Sequence, residues 1–474
     1  MLPLRDTKLS DSLLAGPLRF AGGLSASTQL AVGGLLWLLC SLALSCWVYW
    51  QLEAPTRKPT AASSAALPFA VAHKPSGAHD GGSSFDRALA LESVDALLAR
   101  TLPLALPQAQ WQQLPLQENL PVETSQLPSG ATIPHIPAAS AEQAAYAATY
   151  ASTADLRQVI VSGPCAPLRL GLALLQGLRD QNPALERAGV RTEVRWTPQG
   201  TLEVLLNHLV YYVVSFPGRE GQLSDLAQPL PPEALAIVID DMGQRLESAE
   251  ALASLPFPVT LAIWPRSPHA QETAGIALTS RLDCLLHQPM EALPRALHGR
   301  PDPGPGALLT SMSAQEVQTV LEENLRILPS VIGLNNHMGS AFTGDISLCR
   351  TLCSMLGGRG LAVLDSVTRP DPQLALAARE AGLVGLARDV FLDTRRDTAA
   401  ILSALDAAAA RARAQGMAVA IGHPYPETLR ALRDWQDKDG VAVVPLRRVL
   451  WKLAQDGAAV AARSYPANNN MEKE

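Results

Sequence analysis

A chain of 474 residues with 47% hydrophobic and 17% charged residues is long enough for two or three domains and apolar enough for a sizeable core. Its net charge of −6 and the lack of a basic stripe disfavour nucleic acid as a partner. Six cysteines with no C-x-x-C pair give neither a disulfide framework nor a zinc-finger spacing. Cys349 and Cys353 lie four apart on an expected helix, share a face there, and read as packing residues.

In chain order, residues 1–29 form a short tail. Residues 30–50, LAVGGLLWLLCSLALSCWVYW, carry no charge and match the length of a bilayer-crossing helix, closed by an aromatic belt at Trp47, Tyr49 and Trp50. No A-x-A cleavage site follows, so a retained anchor is expected over a cleaved signal peptide. Arg5, Lys8 and Arg19 before the span and Arg57 and Lys58 after it leave a slight bias toward an inside N-terminus. The reading is a single pass through the cytoplasmic membrane with the C-terminal part in the periplasm.

Residues 51–140 are rich in Pro, Ala, Ser and Gln, as in PTRKPTAASSAALP and HKPSGAHDGGSS. Such composition buries too little apolar surface to offset ordering entropy, so a flexible linker is expected, interrupted by a helix around 84–102. Over 141–225 a small α+β module is expected: RQVIVSG as strand, APLRLGLALLQGLRDQ as helix, and strands around a PQG turn in RTEVRWTPQGTLEVLLNHLVYYVVSF. His208, alone among apolar residues there, reads as a core histidine.

From 226 to 455 the pattern is regular, with a tail at 456–474 beyond it. Apolar runs such as LAIVID, PVTLAIWP, LDCLLHQP, VIGLNNHMG, LAVLDS and MAVAIGHP alternate with stretches of helical period. Ser313 and Glu316 form a capping box before one helix. Continuous apolar strands between helices imply a parallel sheet, and about eight repeats suit a closed barrel, with an open doubly wound sheet as the alternative.

Polar residues fall where the strands end: Asp240 and Asp241, His287, Asn336 and His337, Asp365, Asp389 and His423. In a parallel barrel these ends converge on one face, the face that carries active sites. Singly, each Asp or Asn has an ordinary reading as a turn or cap. Together, two Asp and two His supply a site for a divalent metal; carboxylate oxygen with imidazole nitrogen suits zinc and leaves a position for water. Asp240 and Asp241 could divide the duties of base and ligand, since like charges this close need a cation to stay ionised.

The motifs IDDMG, HQPMEALP, GLNNHMGS, LDS, RDVFLD and IGHPYPET, in this order, resemble the divergent polysaccharide deacetylases, a branch of the carbohydrate esterases that remove acetyl groups from sugars. The resemblance covers about 234–450. It implies a distorted (β/α) barrel with a zinc-type metal, Asp240 as base, Asp241, His287 and His337 as ligands, and His423 as general acid. Asp365, Arg388 and Asp389 would support them. The ordinary His-x-x-x-His pair is absent, because Glu291 stands four after His287; Ala292 replaces a usual proline. Glu291 is then either a fourth ligand or the anchor of the Pro- and Gly-rich loop at 299–313. The expected activity is metal-dependent deacetylation of an envelope polysaccharide or peptidoglycan-like glycan. The alternatives are a non-catalytic, membrane-anchored protein that binds glycan or a partner, and a phosphoesterase, against which the missing Gly-rich phosphate loop argues.

Overall fold

The computed structural model describes residues 87–114, 156–294, 299–435 and 440–457. The tail and membrane span expected before residue 51, and the tail after 457, lie outside them; among the described residues no helix is long and apolar enough to cross a membrane.

The first layer is a five-stranded sheet, β1 (Gln110–Leu114), β2 (Arg157–Ser162), β3 (Thr192–Trp196), β4 (Leu202–Leu206) and β5 (Leu209–Ser215), in the order β1-β2-β5-β4-β3. All neighbours are antiparallel except β2 and β5. Helices Arg87–Ala105 and Pro167–Arg187 accompany it. The stretch expected as linker over 51–140 thus holds a helix close to the expected 84–102 and also an edge strand. A five-residue strand with one apolar face needs its neighbour to become visible, and QWQQL has no alternation to announce it. His208, expected in a core, instead sits exposed with Asn207 in the β4–β5 turn; both have positive φ (70° and 47°), as a two-residue hairpin turn demands.

The second layer is a parallel sheet built from β6 (Ala234–Met242), β7 (Thr260–Ile263), β8 (Asp283–Met290), β9 (Gly333–Met338), β10 (Ala362–Asp365), β11 (Gly385–Ala387), β12 (Val390–Phe391) and β13 (Met417–Gly422), with β14 (Ala442–Val443) bridging the start of β6. Its order is β11-β10-β9-β8-β7-β6-β13-β12. Helices follow most strands, and Ser313 Oγ and Glu316 cap each other at the start of Ala314–Ile327. The closed, eight-stave barrel expected from periodicity is therefore corrected to a distorted one, open along a seam. β11 and β12 are successive pieces of one segment. Between them Arg388 N donates to Asp365 O at 3.0 Å and Asp389 N to Val419 O at 2.8 Å. The chain passes from β10 to β13 at that point, without a continuous ladder.

Alternation sorts the strands into two cores. Ala236 and Val238 of β6, Ala262, Leu285, Leu364, Val419 and Ile421 point inward, into one buried cluster. Leu235, Ile237, Ile239, Leu286 and Val363 point outward, against the helices. The inward cluster is continuous with Leu168, Leu170, Trp196 and Phe216 of the first layer and Trp451 of the final helix, Leu446–Asp456. The α+β module plugs the barrel at the N-terminal ends of its strands.

Two details seal that junction. Arg169, 2% exposed, donates to the carbonyls of Arg359, Pro329 and Leu104 at 3.0 to 3.4 Å. Gly360, at φ 64°, lies so close to Arg169 that a Cβ would meet its carbonyl oxygen at 1.8 Å, so no other residue fits. A fragment beginning at Glu233 would expose the inward cluster. At about 2 kcal/mol for each large apolar side chain so exposed, that loss rivals a domain's whole stability of about 5–15 kcal/mol. Such a fragment is expected to be insoluble or to lack a cooperative thermal transition, whereas one beginning at Gly81 should unfold cooperatively by circular dichroism.

Candidate active site

The problem of placing two adjacent carboxylates at the end of β6 is solved by a bulge. Ile239 pairs with Leu261 but Met242 with Ile263, so β6 carries an extra residue at this point, which bends a strand and re-aims a side chain. Asp240 keeps the inward parity of Ala236 and Val238. Asp241 would face outward on a regular strand; at φ 56° it turns back into the same pocket. Gly243, at φ 101°, completes the turn where a Cβ would collide with Ser267 Oγ at 2.0 Å.

Asp241 Oδ1 lies 3.1 Å from His287 Nε2 and 3.0 Å from His337 Nδ1, and the two imidazole nitrogens are 3.2 Å apart. These three donor atoms, from β6, β8 and β9, all lie within 4.8 Å of one another. Tetrahedral ligands about 2.0–2.2 Å from a zinc-type cation stand at comparable mutual separations. Two imidazole nitrogens facing each other across a carboxylate make poor neighbours for one another but good neighbours for a cation.

Asn335, absent from the sequence-based site, sets this arrangement. It is fully buried; its Nδ2 donates to Asp240 Oδ1 at 2.7 Å and its Oδ1 faces His287 Nδ1 at 3.0 Å. The amide so oriented accepts the Nδ1 proton and turns Nε2 toward Asp241 and His337. With no cation Nε2–H donates to Asp241, and with one bound its lone pair would be the donor, the orienting role of an outer hydrogen bond. Asn335 is two residues before His337 and shares its parity, which is the signal that would have found it.

His423 faces the cluster from β13, its Nε2 3.9 Å from Asp241 Oδ2. Asp393, also missed from sequence, holds it: Oδ1 is 3.0 Å from His423 Nδ1, while Oδ2 accepts His423 N at 2.5 Å and Thr428 Oγ1 at 2.8 Å. Asp393 follows Phe391 by two, and Phe391 faces the interior cluster. Trp264 meets His337 edge-on at 4.5 Å, and Phe391 and Tyr425 contact His423.

Other expected residues lie near the pocket without joining it. Asp365 has the outward parity of Val363; its carboxylate accepts Val367 N at 2.9 Å and Ala375 N at 3.4 Å. Asn336 donates to Met338 O at 2.7 Å and accepts Ser366 N at 2.8 Å, and Arg388 binds the carbonyls of Ser366 and Val367. Met338 and Val367 have φ 53° and 55°, conformations costing about 1–3 kcal/mol for non-glycine residues; Asn336, Asp365 and Arg388 hold these strained rim turns. Asp389 accepts Val419 N at 2.9 Å and pairs with Arg411 at 3.7 Å on the helix side of the seam. Glu291 is a loop anchor: it accepts Thr310 N and Oγ1 at 2.5 and 2.6 Å and pairs with Arg300, tying down 299–313.

Electrostatics separate the acids. Burial works to raise the Asp241 carboxyl, but hydrogen bonds and charge from His287 and His337 hold it well below the usual carboxylate range. Burial pushes the Asp240 carboxyl up, against the pull of His287, His423 and Asn335. His423 loses proton affinity by burial and regains more from Asp393, ending at about 9.

A parallel α/β barrel with carboxylate and imidazole donors gathered at its strand C-termini defines the class. The family model of divergent polysaccharide deacetylases matches residues 237–450. An uncharacterized Escherichia coli (strain K12) protein, YibQ, is 34% identical over 223 residues, 46% of this chain and 68% of its own. An uncharacterized Haemophilus influenzae protein is 37% identical over 199 residues, 42% of this chain and 69% of its own. The chain belongs to the divergent polysaccharide deacetylase family. Among solved structures, an uncharacterized protein of Agrobacterium tumefaciens C58 is similar at 24% identity and TM-score 0.43, covering 47% of this chain and 90% of that one.

Two outcomes follow. Asn335→Leu is expected to weaken divalent-metal affinity by about 10–100-fold in chelator competition, with the fold retained by circular dichroism. In metal-stripped protein, the NMR titration midpoint of His423 should fall from about 9 toward the unperturbed value of about 6.5 in Asp393→Asn. Protonated His423 contributes stability that is fully present below about 6.5 and lost as pH rises through about 9, and the same variant should flatten that part of the stability profile.

Proposed function

We propose that the protein is a hydrolase that removes acetyl groups from an envelope glycan, using a divalent cation held by Asp241, His287 and His337. The observation that carries the reading is the convergence of three ligand atoms from three strands opposite the His423–Asp393 pair. When bound, such a cation polarises a carbonyl and acidifies a water; the donor set suits zinc.

The chain's own groups complete the acid–base pair. Asp240, buried and with raised proton affinity, takes the proton of the attacking water. Asn335 keeps that carboxylate aimed at the pocket. His423, its Nδ1 proton engaged by Asp393, presents a protonated Nε2 to the pocket and delivers that proton to the leaving nitrogen or oxygen. A carboxylate whose burial raises its proton affinity beside an imidazole that Asp393 keeps protonated supplies the base and the acid that general acid–base catalysis needs. The glycan is supported by family membership.

The same reading includes tethering by residues 30–50 to the cytoplasmic membrane with the barrel in the periplasm. Its support is the uncharged, aromatic-closed run and a Pro- and Ser-rich stretch after it, which would let a tethered barrel reach an insoluble polymer.

The test uses purified protein, bound-metal analysis and acetate release from acetylated glycans. His337→Ala should lose stoichiometric metal and activity together. Asp240→Asn should keep the metal and lose at least about 10²-fold in kcat. Full metal occupancy in His337→Ala overturns the ligand set, and unchanged cellular function in Asp240→Asn would assign the pocket to binding instead.

A further inference from the structure

The rim beside His423 carries a cationic feature that the hydrolytic chemistry does not use. Arg396 follows β12 in the sequence DTRRD, and Tyr425 follows β13, so both stand at the strand ends that frame the pocket. The Arg396 guanidinium lies 3.8 Å over the centre of the Tyr425 ring, and its Nη2 donates to Tyr425 Oη at 2.7 Å. Tyr425 in turn stacks on the His423 imidazole, 5.4 Å between centroids at 27°. One chain of ring contacts thus links the proposed proton donor to an exposed guanidinium.

Three other arginines of these rim loops pair with acids, Arg300 with Glu291, Arg369 with Asp371 at 2.7 Å and Arg395 with Asp397 at 3.6 Å, and Arg388 is turned inward onto the Ser366 and Val367 carbonyls. Arg396 has no carboxylate partner among the described residues. A guanidinium offers five donors in a planar fork suited to carboxylates, and the hydrogen bond to Tyr425 uses a single nitrogen. Stacking on the ring and that bond restrain a side chain that would otherwise lose its rotamer freedom on being ordered by a ligand. With Arg396 against it, the Tyr425 ring offers a charge to a passing polymer more than an open face for a sugar ring.

We propose that Arg396, positioned by Tyr425, is a specificity subsite for a carboxylate on the glycan, borne beside the acetylated residue that faces His423. The substrate class is accordingly an acidic acetylated polysaccharide. The inference rests on the hydrolase reading only for its turnover, since recognition of the carboxylate is an equilibrium property of the rim.

The experiment compares an N-acetylated oligosaccharide containing hexuronate residues with its carboxyl-reduced counterpart of equal length, by calorimetric affinity and by acetate release. A hydrogen-bonded charge pair at a partly exposed site corresponds to about ten-fold in affinity, so the native protein should bind the carboxylated probe about ten-fold more tightly. Arg396→Gln should bind both probes equally, and Arg396→Lys should retain part of the preference through its charge. Equal affinity of the native protein for the two probes, no measurable affinity for either, or a preference that survives in Arg396→Gln overturns the subsite. Failure to release acetate from either probe counts against the deacetylase reading, while the affinity difference decides the subsite independently.

Discussion

Everything in the pocket depends on bringing an ionised carboxylate into a mostly buried site, which costs several kcal/mol unless something of opposite charge compensates it. Asp241 meets that constraint with two imidazoles at hydrogen-bonding distance, and the bulge in β6 makes it possible. Regular alternation would send one of two neighbouring aspartates to the helix side of the sheet. One extra residue and one left-handed backbone conformation put both on the same side, Asp241 against the imidazoles and Asp240 against Asn335. The result is two neighbouring acids with proton affinities shifted in opposite directions, because Asp241 is bound by two imidazoles and Asp240 is mainly desolvated.

A site built on strand ends needs rigid loops, and here the rigidity is supplied by polar side chains that do not touch the donor cluster. Asn336, Asp365 and Arg388 tie backbone groups of the turns after β9 and β10, two of which hold non-glycine residues at positive φ. Glu291, a residue at the height of the ligands, spends both oxygens on the 299–313 loop. Displacing it toward a cation would release Thr310 and Arg300 together, so its chemistry is that of an anchor.

At the opposite end the barrel interior is lined by small and branched apolar residues, Ala236, Ala262, Leu285 and Val419 among them, and packs against the α+β module. Arg169 and Gly360 make that contact close enough to admit no side chain between the backbones. The two layers share one core, and the donor cluster lies at the end of the strands opposite the plug.

Much of this was legible in the residues alone. The strand and helix alternation, the capping box at Ser313, and the grouping of Asp241, His287, His337 and His423 follow from local periodicity and from the rule that parallel strands deliver their ends to one face. What local pattern left undecided were matters of parity and partnership. Asp365 and Asp389 end strands as Asp240 does, yet Asp365 faces outward and Asp389 serves the seam. Asn335 and Asp393 read as ordinary turn-formers until His287 and His423 are seen beside them. The edge strand QWQQL, hidden in a Pro- and Ser-rich stretch, exists because β2 is there to pair with it. The sequence by itself determined which groups could gather at the barrel's mouth, since the period of a strand is a property of the chain. Only the tertiary structure decided which of them meet, because a bulge, a seam and a hydrogen-bond partner from a distant strand are properties of packing.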